Sequence, residues 1–304
     1  MKKTEIKSAA LLFLAAFIWG VAFVAQSMGM EYVGPYTFNG CRFLLGGLVL
    51  TPLALIRNKK RKKEKGEKNR ENLRQGRKIT LTGGIFCGIA IFIASSFQQI
   101  GMQYTSVGKA GFLTALYIVI VPILGIFMRK KVSISVWAGA LLAAAGFYFL
   151  CITESFSINA GDGLVFLCAV SFSFHIMIID YFAPKADPVA LSCIQFWFSG
   201  VLSSIPALLM EHPSFLGVVQ ATGPIMYAGV LSCGVAYTLQ MVGQAKMNPT
   251  VASLILSMES VISVLAGWLI LKEVLTKRQG FGCCLVFAAV ILAQLPKKEE
   301  KEKL

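Results

Sequence analysis

Apolar stretches of about 20 residues, the length that crosses ~30 Å of hydrocarbon, recur along almost the whole of this chain. Short runs rich in charge, Gly, Pro, Asn and Asp separate them. The spacing predicts helices over 8–28, 35–56, 79–100, 107–128, 133–152, 160–181, 188–210, 220–243, 249–271 and 277–295. Breaks such as Tyr32-Val-Gly-Pro35, Asn159-Ala-Gly-Asp162, Ala186-Asp-Pro188 and Met247-Asn-Pro249 hold the residues at which hydrogen-bonded helices stop. Charged residues make up 14% of the chain, against roughly 25% in a soluble domain, and they are gathered into a few clusters. The expected fold class is all-α and integral to the membrane, with ten transmembrane helices.

The net charge of +14 raises the question of nucleic-acid binding. Twelve of the 29 basic residues, however, lie between Arg57 and Lys78, in a segment read as a basic cytoplasmic loop. The positive-inside rule places such residues there, within reach of anionic head groups, so no nucleic-acid partner is expected and the bilayer is. With both termini cytoplasmic, the inner segments hold 24 Lys and Arg and the outer ones three, Lys272, Lys277 and Arg278. Arg42 and Lys109 fall within or at the start of helices. All eight cysteines lie in apolar segments without a CxxC pair, which predicts packing residues rather than disulfides, a metal centre or a cofactor site. The Met1-Lys-Lys start ahead of an apolar run is similar to a signal peptide. Retention is expected, because that run has a counterpart deeper in the chain.

The counterpart belongs to an internal repeat. At an offset of 153, Leu11, Phe13, Leu14 and Ala16 align with Leu164, Phe166, Leu167 and Ala169, and Pro35, Phe43 and Gly47 with Pro188, Phe196 and Gly200. Beyond the basic segment the offset is 142, and Gln98, Gly101, Ala110, Gly125, Lys130 and Val132 align with Gln240, Gly243, Ala252, Gly267, Lys272 and Val274. The expected units are a first repeat over 1–152, a second over 157–297 and a charged tail over 298–304. Five spans per unit is an odd number, so the halves must run in opposite directions. Two inverted five-helix repeats are a common plan of secondary transporters, whose sites lie near the midplane between them. Descent from Lys130 also accounts for Lys272 standing on the wrong face.

Several segments carry a family resemblance: Phe17-Ile-Trp-Gly-Val-Ala-Phe-Val-Ala-Gln26, Phe38-Asn-Gly-Cys-Arg-Phe-Leu-Leu-Gly46, Gln99-Ile-Gly-Met-Gln-Tyr-Thr105, Ser257-Met-Glu-Ser-Val261, and Lys272-Glu-Val-Leu-Thr276 followed by Gly282. In order and spacing the chain resembles the EamA-type transporters of the drug/metabolite transporter superfamily. The resemblance implies a ten-helix carrier of the plasma (inner) membrane, often an exporter of amino acids or other metabolites working by alternating access. The long basic segment at 57–78 departs from the pattern, as does Ser260, which follows Glu259 where many relatives have proline.

Ionisable residues inside a span cost ~2.5–3.5 kcal/mol to insert, so each is a functional hypothesis. Glu259 lies ten residues into 249–271, ~15 Å deep at 1.5 Å per residue, and is expected either to bind substrate or a proton or to hold a neighbouring helix. Arg42, ~10 Å deep by the same rise, is expected to snorkel to the outer interface, to take another purely structural role, or to pair with Glu259. Its repeat partner is Gln195. Trp19, Phe172 and Tyr117 fall near mid-membrane; Trp19 and Phe172 are repeat partners, and Tyr117 is the partner of Glu259. Facing one cavity, the four would form an aromatic cage with one acid, suited to an organic cation or the amine of an amino acid. Facing lipid or neighbouring helices, the aromatic residues would only pack.

Gln98 and Gln240 are read as gate or rim positions at opposite ends. His175 is read as an interhelical hydrogen-bonding group or a proton relay. Gln26, Tyr237 and Gln244 are weaker candidates, and Glu31, Glu211 and His212 are assigned to outer loops. Pro122 and Pro206 are expected to kink helices 4 and 7. The leading reading is a secondary active carrier of a small molecule, with proton coupling a role open to Glu259. A non-transporting membrane subunit and a passive facilitator are the alternatives. A membrane enzyme would need HExxH, paired acids or a Ser–His arrangement within the spans, and two histidines, one of them in a loop, with one midplane carboxylate offer little of that chemistry. A primary pump would need a GxxxxGK[ST] loop, which the sequence lacks.

Overall fold

The computed structural model describes residues 3–65, 70–105, 107–128, 134–151, 159–270, 272 and 276–294. Every element within them is helical: α1 (Lys3–Gly29), α2 (Pro35–Lys65), α3 (Arg70–Gly101), α4 (Val107–Ala115), α5 (Tyr117–Phe127), α6 (Ile134–Cys151), α7 (Ala160–Phe182), α8 (Pro188–Pro206), α9 (Phe215–Gln220), α10 (Thr222–Met226), α11 (Tyr237–Gln244), α12 (Pro249–Leu256), α13 (Met258–Ile270) and α14 (Lys277–Gln294). Two π-helical segments, Ala207–Glu211 and Tyr227–Ala236, extend α8 and join α10 to α11. Eight helical stretches among the described residues are long and apolar enough to cross a membrane. Two further apolar helices, α6 and α14, pack on each other: a Cβ at Gly146 would stand 2.9 Å from the carbonyl oxygen of Gly282.

The polarity of the bundle is inverted relative to a soluble protein. Phe13, Phe17, Leu48, Phe86, Trp197 and Phe287 are exposed on its flanks, while Ser95, Gln99, Ser173, Gln195 and Ser199 are fully buried. Hydrocarbon solvates the first set, and part of the second finds hydrogen-bonding groups inside, while Ser95 Oγ and both side-chain amide atoms of Gln99 have no partner among the described residues. Ser173 and Ser199, for example, donate to the carbonyls of Ala169 and Gln195 one turn back.

Helix starts follow the local sequence. Asn159 and Asp162 form a capping box at α7, each side chain accepting the other's backbone N–H at 2.9 Å. Asp187 and Asn248 cap α8 and α12, each followed by Pro at the first helical position. The start of α2 is different, because Gly34 before Pro35 has no side chain to offer. Its free N–H groups go to Glu211 at the far end of the π segment after α8, which accepts from Tyr36 N (2.8 Å), Thr37 N (2.7 Å) and Thr37 Oγ1 (2.7 Å). A Cβ at Gly34 would collide with the Glu211 carboxyl carbon, so any side chain there would push the carboxylate off these donors. Glu211 is therefore a clamp between α2 and α8 rather than an unoccupied loop residue. Glu211→Ala leaves several donors unmet and is expected to lower the thermal unfolding midpoint in detergent by the equivalent of about 1–3 kcal/mol, with the exposed Glu31→Ala unchanged.

Three expectations about the elements need correction. The segment 57–78 is mostly helix: α2 runs on to Lys65 and α3 begins at Arg70. Lys, Arg and Glu are good helix formers, and nothing at those positions stops the ladder once it leaves the membrane. The fourth span is interrupted at Leu116, six residues before Pro122, and the ninth is interrupted at Ser257 with no proline nearby. Ser253 and Ser257 donate to carbonyls three residues back, a habit that tightens and bends helices. At Pro206 the α-helix gives way to the π segment, as the missing N–H favours. Lys130 lies outside the described residues; Lys272 is exposed and left-handed, with φ 60°.

Candidate functional site

A narrow cavity lies between α1, α2, α3, α4, α5, α7, the second π segment, α11, α12 and α13. The two interrupted spans deliver its centre. Tyr117 is the first residue of α5 and Glu259 the second of α13, so both stand where a helical ladder restarts. The Tyr117 hydroxyl donates to Glu259 Oε1 at 3.0 Å, and Glu259 is 6% exposed. The two residues joined by this bond are equivalent positions at the 142-residue offset.

Eight of the nine residues singled out from the sequence line this cavity: Trp19, Arg42, Gln98, Tyr117, Phe172, His175, Gln240 and Glu259. The ninth, Gln195, stands behind the wall, its Oε1 2.9 Å from His175 Nε2. Gln98 and Gln240, read as gate or rim positions at opposite ends, both line this cavity. Gln98 donates to Thr114 Oγ1 (3.2 Å), and Gln240 to Gln244 Oε1 (3.3 Å); Gln244 Nε2 in turn donates to the carbonyl of Ile176 (2.6 Å). Trp19 and Tyr237 stack obliquely, ring centroids 4.5 Å apart, and Tyr237 also meets His175 at 5.9 Å.

Arg42 neither snorkels nor pairs with Glu259. At 4% exposure it does not snorkel, and its guanidinium donates to Gln26 Oε1 at 2.7 Å rather than to Glu259. The rings of Phe43 and Phe38 lie 4.8 and 5.7 Å from its Cζ. Depth along a helix gives height but not azimuth, and Gln26 on α1 has the better azimuth. Gln26 and Tyr237 thereby rise from weak candidates to wall residues. Thr114 and Ser232 were missed; a hydroxyl buried in a helix satisfies itself on a nearby carbonyl and leaves no mark in an apolar sequence.

Several polar atoms of this lining have no protein partner among the described residues: Trp19 Nε1, Arg42 Nε, His175 Nδ1 and Gln240 Oε1, with Gln195 Nε2 behind them. Unmet buried polar groups cost ~1–3 kcal/mol each, so their concentration around one cavity marks a place where a polar ligand or water completes the bonding.

Comparison with known proteins meets this geometry with a family. The EamA-like transporter family model matches residues 6–152 and again 159–295. The chain belongs to that family. An "Uncharacterized transporter" of Archaeoglobus fulgidus is 31% identical over 292 residues, covering 93% of this chain and 84% of the relative. The "Uncharacterized transporter YoaV" of Bacillus subtilis is 22% identical over 282 residues, 90% of this chain and 92% of its own length. A protein of Chlamydia muridarum named "S-adenosylmethionine/S-adenosylhomocysteine transporter" is 29% identical over 103 residues, 34% of this chain and 29% of that protein. A solved crystal structure shares the fold at TM-score 0.76 and 20% identity, covering 94% of this chain and 96% of its own. EamA-like transporter, membrane-embedded and multi-pass, therefore describes the chain.

Proposed function

We propose that this EamA-like protein is a secondary active carrier that exports amino acids or related small metabolites by alternating access, with Glu259 as the coupling acid. The observation that carries the reading is the Tyr117–Glu259 bond inside a cavity walled by Trp19, Phe172 and Tyr237. Aromatic faces and one acid suit a cationic amine, while the guanidinium of Arg42 and the amides of Gln98 and Gln240 suit a carboxylate. An amino acid presents both groups, and so does the amino-acid moiety of S-adenosylmethionine, which the Chlamydia relative is named for.

Ten spans in two inverted five-helix repeats is the architecture on which this reading rests. The helix pairings support it, because they survive exchange of the halves. The pairs α2 with α8 and α6 with α14 map onto themselves; α3 on α7 maps onto α11 on α1, and α1 on α13 maps onto α7 on α5. Contact between equivalent residues, Tyr117 and Glu259, is what a pseudo-two-fold axis through the cavity requires. The 24-to-3 distribution of basic residues supports cytoplasmic termini, and the plasma membrane is what the family resemblance implies.

The test is a flux screen in proteoliposomes over amino acids, amines and S-adenosylmethionine, with and without an imposed pH gradient. Saturable flux that follows the gradient is the expected result; saturable flux indifferent to it would remove the coupling role, and no flux would favour a subunit role. On the substrate that screen identifies, Trp19→Leu is expected to raise KM about tenfold with a smaller change in kcat, as loss of one cation–π wall predicts.

A further inference from the structure

We propose that the groove between α2, α3 and the start of α8 binds an anionic phospholipid, its phosphate held by Arg74, Arg77 and Lys78 and its acyl chain lying along Leu55, Leu81 and Ile194. This groove is separate from the central cavity, with which it shares no residue. Arg74, Arg77 and Lys78 stand at i, i+3 and i+4, so they crowd one face of α3. Leu81 continues that stripe one turn further into the bundle, ~10 Å along the axis from Arg74. Cations at the mouth and apolar side chains below are the polarity profile of a lipid, not of a soluble anion.

Charge complementarity names the occupant. The acid at this mouth, Asp187, is already satisfied: it accepts from Val189 N (3.1 Å) and Ala190 N (3.0 Å) at the start of α8, and it pairs with Arg57 at 3.0 Å. The three α3 cations have no hydrogen-bond or ion-pair partner among the described residues, and all three are exposed. Basic pockets between membrane helices recognise anionic lipid head groups. Leu55 and Leu81, each more than half exposed, border the groove on the side where acyl chains would lie. The inference stands on membrane embedding and does not depend on the transport reading.

The full chain in detergent, offered equimolar phosphatidylglycerol and phosphatidylcholine, would be examined by native mass spectrometry. Wild type is expected to retain phosphatidylglycerol at least about tenfold in preference. The triple variant Arg74→Gln, Arg77→Gln, Lys78→Gln should lose that preference, and a charge-matched control, Lys59→Gln, Lys60→Gln, Lys246→Gln, should keep it. Ala190→Phe, which narrows the groove without altering charge, should weaken retention several-fold. Equal retention of both lipids, equal loss in the control, or unchanged binding in Ala190→Phe would overturn the proposal. Displacement of phosphatidylglycerol by millimolar inorganic phosphate would also overturn it, leaving a simple phosphate site.

Discussion

Glu259→Gln is expected to abolish accumulation driven by a pH gradient while leaving downhill flux within a few-fold of wild type. The amide has nearly the shape of the acid, and its Oε1 still accepts from the Tyr117 hydroxyl 3.0 Å away in the native protein. What it lacks is a proton to exchange. One pH unit is worth ~1.36 kcal/mol, so a carrier moving one proton per substrate sustains about tenfold accumulation per unit of gradient, and the variant about none. Tyr117→Phe separates binding from coupling. It removes the hydroxyl donated to Glu259, a bond to an ionisable group worth ~1.5–3 kcal/mol, and is expected to slow flux about tenfold or more with accumulation retained. Loss of accumulation in Tyr117→Phe alone, with Glu259→Gln unaffected, would transfer the coupling role away from the acid.

Gly20→Val carries the second large effect, and it acts through packing. A Cβ at Gly20 would stand 2.5 Å from Ile262 Cβ and 2.8 Å from the carbonyl oxygen of Glu259. Neither can retreat, since one is fixed to the α13 backbone and the other belongs to it. Helices α1 and α13 must therefore part, taking Trp19 and Glu259 with them. Overpacking of this kind costs ~1–3 kcal/mol, so a clearly lower unfolding midpoint in detergent is expected together with a flux loss of about tenfold or more. At Gly163 a Cβ meets nothing within 4 Å, and Gly163→Ala should change neither quantity. Unaltered stability and flux in Gly20→Val would mean that α1 and α13 are not held in close contact.

Much of the site was legible because the bilayer makes polarity costly. A polar or charged residue at midplane depth has to face the interior, so Glu259, Arg42, Gln98, Gln240 and His175 could be placed by counting residues along a span. Counting fixed height and left azimuth open, which is why Arg42 was offered Glu259 as a partner when Gln26 holds it. Hydroxyls were invisible for the opposite reason: Thr114 and Ser232 are cheap to bury and stand out from nothing. The helix interruptions at Leu116 and Ser257 were also hidden, since Pro122 is the obvious breaker and lies elsewhere. Glu211 was passed over because its role depends on Gly34, distant in sequence and lacking a cap of its own.

The central claim is that one cavity opens alternately to the two sides, and counterflow in proteoliposomes tests it most directly. Vesicles loaded with unlabelled substrate, identified by the flux screen, would be diluted into a trace of the labelled compound with no ion gradient present. Labelled substrate should overshoot its equilibrium level and then decay, and Gly20→Val should show little overshoot. A monotonic approach to equilibrium at a rate indifferent to internal substrate would contradict alternating access and leave a passive pathway.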